Sequence, residues 1–401
     1  MKYLETYNLI KEKINYTNDL ISIPQVVEIR NFTFTSHNVD ILPNDSLTAP
    51  LTGYDQKIET GIVHEMLAIH DSDIKENIEF RYHVFSPVGT KKATEIVLML
   101  HGFNEKFWYK YLPWAKHIVD TTGKTVVLFP IAFHMNRAPQ EWSDTRLMYK
   151  VSNRRRELFP DIIHSTLSNA AISTRLHTNP QRFIWSGMQT YYDVIQFIEG
   201  YKSGGHPFIA PDAQIDLFAY SIGAFLAEII IMANHHHYFD HAKLVMLCGG
   251  PVFNRLSPVS KFILDSEANV ALYSHIVEHL ESHLKNDKNL RHYLCESQEG
   301  ITFRSMLNYG VMSDLREERF YALRDRLLAV VLKKDTVVPP YEVANTLQGK
   351  YRDIPVRVDM HDFPYLYKHE DPFPAIEKIS DEVDSGFRRV FDTVGTFLST
   401  N

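Results

Sequence analysis

Short apolar runs rich in β-branched residues recur along this chain, and most give way to a turn and then to residues spaced for a helix. They read "TEIVLMLHG" at 94–102, "KTVVLFPIAFH" at 124–134, "IDLFAY" at 215–220, "AKLVMLCGGP" at 242–251, "LLAVVLKKDTVVPP" at 327–340 and "PVRVDMHDF" at 355–363. A strand that is apolar along its whole length must be buried on both faces, whereas a half-exposed strand alternates. Between these runs lie helical patterns. "RFIWSGMQTYYDVIQFIEGY" at 182–201 sets Ile184, Met188, Tyr191, Ile195 and Ile198 on one side, and "VDSGFRRVFDTVGTFL" at 383–398 closes the chain. The alternation predicts an α/β fold, a mostly parallel sheet covered by helices on both faces. "IEFRYHVFSP" at 78–87 alternates and is expected as an antiparallel strand.

Residues 1–75 are polar and mixed, with one strand candidate in "NFTFTSHNVDIL" and a turn-rich patch, "PNDSLTAPLTGYD". They are expected to form an N-terminal extension packed on the core, with the main domain spanning 76–401. The chain has 401 residues, 44% of them hydrophobic, and a formal charge of −7, which gives no reason to expect nucleic acid. Arg154, Arg155 and Arg156 read as a solvated helix face. Cys248 reads as a small buried hydrophobe, and two cysteines cannot staple a fold of this size. The first twenty residues lack the apolar core of a signal peptide, and no apolar stretch reaches 18 residues. The expectation is a cytoplasmic protein with a small-molecule substrate and no membrane partner. Its oligomeric state is not legible.

In an open parallel sheet, chemistry gathers at the carboxyl ends of the strands. Here those ends carry His101 and Gly102, Ser221, Asp335, and then His361 or His369. Ser221 stands where "IDLFAY" turns into the apolar helix "IGAFLAEIIIMA", with Ala219 two places before it and Gly223 two places after. Small neighbours suit a nucleophile on a tight strand-to-helix turn, while a plain helix N-cap is the competing reading. A serine hydroxyl becomes a useful nucleophile only with a base in hydrogen-bond reach and a carboxylate to fix that base.

Taken together, "LMLHGFNEKFW", "AYSIGA" and "LKKDTVVPP" resemble the His-Gly turn, nucleophile elbow and acid turn of the α/β-hydrolases, from about residue 78 to the C-terminus. Ala219 stands where that family usually has glycine. The resemblance implies Ser221 as nucleophile, Asp335 as the acid and His369 as the base, with His361 as second choice. It implies oxyanion donors in the N–H groups of Phe103 and Ile222, and a substrate lined by His101, Gly102 and Tyr220. No metal or organic cofactor is implied. The expected activity is cleavage of an ester, thioester or amide of a soluble small substrate through an acyl-enzyme on Ser221. Acyl transfer, C–C hydrolysis and a non-catalytic binding protein on the same fold are the alternatives.

Spacing adds an expectation. Between His101 and Ser221 lie 119 residues, where a strand-helix-strand-helix passage needs on the order of 70. The surplus maps to 134–183, and a second, mostly helical surplus to 252–325. Both are expected to sit above the strand ends as a lid. The aromatic group Phe107, Trp108, Tyr109, Tyr111 and Trp114 is expected mainly in the core. His235, His236, His237 and His241 read as a surface cluster.

Overall fold

The computed structural model describes residues 1–15, 17–42 and 69–400. The patch "PNDSLTAPLTGYD" lies outside them. Nine strands form one sheet among the described residues: β1 (Leu20–Ile23), β2 (Val27–Thr35), β3 (Glu79–Ser86), β4 (Ala93–Leu100), β5 (Thr125–Leu128), β6 (Ile209–Tyr220), β7 (Leu244–Leu247), β8 (Leu327–Leu332) and β9 (Arg357–His361). Their order is β1-β2-β3-β5-β4-β6-β7-β8-β9. The first three strands pair antiparallel, β3 joins β5 antiparallel, and every pair from β5 to β9 is parallel. This is the α/β-hydrolase fold.

The apolar runs of β4 to β8 become strands buried on both faces, whereas β9 is half-exposed because it is the edge strand of the sheet, covered by a neighbour on one side only. In β4, Ile96, Leu98 and Leu100 enter one core while Val97 and Met99 enter the other, all with no exposed surface. Each such side chain is worth about 1.5–3 kcal/mol of burial. The helices Arg182–Lys202 and Ile222–Ala233 cover the first face. Tyr111–Thr122 and Ser380–Ser399 cover the second.

The N-terminal segment is built further into the molecule than its polarity suggests. The strand candidate is β2, paired with β3 from Glu28 to Thr35. Ahead of it, helix Tyr3–Lys13 docks on the second layer, where the Tyr3 ring lies 4.8 Å from that of Phe387. Its buried stripe is only Tyr3, Thr6 and Ile10, too sparse in apolar residues to register as a helix in the sequence.

The stretch 134–183 carries helices Thr145–Leu158 and Ala170–Thr178, and 252–325 carries a series beginning with Ser266–Tyr273. These two stretches touch each other. Arg155 is buried there, its Nε and Nη2 donating to Asp265 at 2.7 and 2.8 Å. The Arg154–Arg156 run is therefore not wholly a solvated face: its middle member points inward because a carboxylate from another segment meets it. Of the aromatic group, Trp108, Tyr111 and Trp114 are buried, whereas Phe107 is exposed. Among the described residues, no helix is long and apolar enough to cross a membrane.

Candidate active site

Ser221 sits between β6 and helix Ile222–Ala233 at φ 55°, ψ −120°, a conformation that L-residues rarely adopt. The kink lifts its side chain out of the strand-helix path. Its Oγ makes no capping hydrogen bond, so the hydroxyl is not spent on the helix. The turn is pressed against the end of β4. A Cβ at Gly223 would come within 2.6 Å of the His101 carbonyl oxygen, which is why this position is glycine.

The hydroxyl is engaged by histidine instead. Ser221 Oγ lies 2.7 Å from His369 Nε2, and His369 Nδ1 lies 2.7 Å from Asp335 Oδ2. Asp335 follows β8, and its other oxygen accepts the N–H groups of Val337 and Val338, each at 2.9 Å. The carboxylate, with no proton of its own, obliges Nδ1 to carry the imidazole proton. That leaves Nε2 as an acceptor facing the serine. Asp335 and His369 are buried at 5% and 4% exposure, which strengthens the attraction between them.

The loop after β9 brings His369 back over Ser221. Three residues hold it. The Tyr220 hydroxyl donates to the His369 carbonyl, and the Tyr220 ring stacks on the imidazole with centroids 5.5 Å apart. Lys110 Nζ donates to the Glu370 carbonyl at 2.8 Å, and Ser260 Oγ donates to the Glu370 carboxylate at 2.7 Å. His361 takes no part. It ends β9, its carbonyl accepts the Lys333 N–H, and its half-buried ring lies nearest that of Phe363.

The residues expected to line the substrate have other duties. His101 is fully buried, with Nδ1 donating to the Gly102 carbonyl at 2.8 Å and Nε2 accepting the Ile131 N–H at 2.9 Å. Burial holds its pKa well below the ordinary value, so it stays neutral. The Gly102 N–H donates to the Tyr111 hydroxyl at 2.9 Å. His101, Gly102 and Tyr220 thus spend these polar groups on the structure behind the site. The N–H groups of Phe103 and Ile222 differ: neither has an acceptor among the described residues. Both residues line, with Ser221, a small cavity of about 30 Å³ whose walls include Phe183, Phe253, Leu264 and Val338.

Sequence reasoning missed Lys110, Ser260 and a part for Cys248. The Cys248 sulfur lies within 4.8 Å of ligand atoms of Asp335 and His369. Burial, with the Asp335 charge beside it, pushes the thiol well up, so it stays protonated against the carboxylate. The three could face a metal ion, but Asp335 and His369 already spend these atoms on each other, on Ser221 and on backbone N–H groups. No motif marks Lys110, Ser260 or Cys248, because each acts through a residue distant in the chain.

A family model described as "Family of unknown function (DUF6051)" matches residues 1–399. The chain belongs to that family. No curated protein matches this DUF6051 member. Among solved structures it is similar to carboxyl esterase 2 from the mycorrhizal fungus Tuber melanosporum, at 12% identity over 79% of this chain and 80% of that one, with TM-score 0.44. A hyperthermophilic esterase from the archaeon Pyrobaculum calidifontis is similar at 12% identity over 99% and 88%, TM-score 0.44. A mutant of esterase Est22 is similar at 13% identity over 100% and 85%, TM-score 0.46.

Proposed function

We propose that this protein is a serine hydrolase that cleaves an ester, thioester or amide of a small molecule through an acyl-enzyme on Ser221. The observation that carries this reading is the hydrogen-bonded series from Ser221 Oγ through both nitrogens of His369 to Asp335, set beside two backbone N–H groups without an acceptor among the described residues. In this reading His369 Nε2 takes the hydroxyl proton as Oγ attacks the acyl carbon, and Asp335 stabilises the imidazolium that forms. The negative charge passes to the carbonyl oxygen, where the N–H groups of Phe103 and Ile222 receive it. Ile222 is the first residue of its helix, so the positive end of the helix dipole adds to that stabilisation. His369 then returns its proton to the leaving group. Water, deprotonated by the same imidazole, releases the acid.

The stretches 134–183 and 252–325 act as a lid in this account. They reach the site at Phe183, Phe253 and Leu264, lining its cavity. Apolar walls exclude water around the reacting carbonyl and strengthen every charge interaction there.

A fluorophosphonate probe tests the reading. The intact protein should be labelled on the peptide containing Ser221 and should hydrolyse a short-chain nitrophenyl ester, and Ser221→Ala should lose both with its circular dichroism unchanged. Labelling that persists in Ser221→Ala, or no labelling of the intact protein, would remove the assignment. Transfer of the acyl group to an added alcohol in preference to water would move the reaction to acyl transfer.

A further inference from the structure

The histidine run past the end of helix Ile222–Ala233 lies far from Ser221 in the fold. That helix is 12 residues long and begins beside Ser221, so its far end is about 18 Å away. The chain leaves it through a turn in which Asn234, His236 and His237 all have positive φ, at 46°, 47° and 61°. None is glycine, so the turn carries strain. It is pinned by Asn234, whose Nδ2 donates to Asp240 at 2.6 Å and whose Oδ1 accepts the Phe239 N–H at 2.9 Å.

This turn sorts the histidines. His237 faces Asp240, at 3.2 Å. His235 and His236 are brought together instead, with ring centroids 4.1 Å apart. Facing them is Glu199, from the last turn of helix Arg182–Lys202 and 36 residues earlier in the chain (235 − 199). One ligand atom from each of Glu199, His235 and His236 lies within 4.8 Å of the other two. None of the three side chains makes a hydrogen bond or ion pair among the described residues, so all three donors are available.

We propose that Glu199, His235 and His236 bind a zinc-class transition-metal ion and clasp the far ends of the two helices that cover one face of the sheet. Two imidazoles and one carboxylate suit Zn²⁺ or Co²⁺ and disfavour Mg²⁺ and Ca²⁺, which take oxygen ligands. In a tetrahedral zinc site with ligands at about 2.0–2.1 Å, neighbouring donor atoms stand about 3.3 Å apart. Small rotamer changes of these exposed and half-exposed side chains close the difference, and water completes the coordination. The site is independent of the proposed hydrolysis and serves the fold rather than the reaction.

Calorimetric titration of the metal-stripped, untagged full chain with ZnCl₂ is the test. One ion should bind per chain, and zinc should raise the thermal midpoint, because an ion held only by the folded state stabilises it. Glu199→Gln, and separately the double change His235→Ala with His236→Ala, should weaken binding by about tenfold or more and abolish the zinc-induced rise. His241→Ala should bind as the parent does, and Mg²⁺ should give no shift. If the double variant folds poorly, Glu199→Gln at its exposed helix position decides alone. The proposal falls if the parent binds no zinc, or if zinc binds the Glu199 and histidine variants as tightly as the parent. The latter would place it elsewhere, at His237 with His241 or among Cys248, Asp335 and His369.

Discussion

Arg155 and Asp265, 110 residues apart in the chain, form a two-point ion pair at 2.7 and 2.8 Å where the two long insertions meet. Asp265 has no exposed surface and also caps helix Ser266–Tyr273, accepting the Ala268 N–H at 3.0 Å. Asp265→Ala would leave a guanidinium buried without its counter-charge, a loss of about 3–5 kcal/mol. The expected result is a lower thermal midpoint and faster proteolytic cleavage within 145–178, ahead of the sheet. Arg155→Met combined with Asp265→Leu should recover much of the loss, since an apolar pair needs no counter-charge. An unchanged midpoint and cleavage pattern in Asp265→Ala would show that the insertions do not depend on this pair.

The two histidines of the C-terminal segment should separate cleanly. His369→Ala is expected to lower kcat on a nitrophenyl ester by several orders of magnitude, because the members of such a series act as a unit. His361→Ala should keep its activity and lose less than about 1 kcal/mol, since the ring is half-buried and its side chain has no hydrogen-bond partner among the described residues. Steady-state kinetics and urea unfolding of both variants check this, and equal losses of kcat would refute it.

Gly223→Ala should act on the site without touching any polar group. The new Cβ would stand 2.6 Å from the His101 carbonyl oxygen and 2.8 Å from that of Leu100. Both are backbone atoms at the end of β4 and cannot swing aside, so the elbow must shift. A cost of about 1–3 kcal/mol is expected, with ester turnover falling far more than the folded fraction does. Retention of full turnover would show that the turn has slack.

Acid should destabilise the fold through its buried imidazoles. Burial lowers His134, His206 and His275 from 6.5 to about 4, and His83 to about 3. His206 shows the cause in detail: its Nδ1 accepts the N–H groups of Phe208 and Ile209, so a proton there would face two donors. Each of these groups binds its proton less readily folded than unfolded. The stability they contribute is therefore whole above about pH 6.5 and drains away as the pH falls toward about 4. Urea unfolding at pH 7, 5.5 and 4.5 should show a steady fall, and a flat or rising stability over that range would contradict it.

Ser221, Asp335 and the strands beneath them were legible because their signals are local. An all-apolar run such as 96–100 can lie only between two covered faces. A serine between a strand pattern and a helix pattern, with small residues at 219 and 223, can lie only on a tight turn. Periodicity reports which face a side chain takes within its own element, and chain order then limits which ends meet.

What periodicity cannot report is where a loop goes after its strand ends. His361 and His369 both follow the last strand, and only the path held by Tyr220, Lys110 and Ser260 brings His369 to the serine. Those contacts join residues 110 to 260 positions apart in the chain. The inward turn of Arg155, the docking of helix Tyr3–Lys13 and the approach of Glu199 to His235 and His236 were hidden for the same reason. Each depends on a partner that no local pattern names. Local sequence chose the elements and their faces; burial and charge pairing between distant segments chose which side chains face each other across them.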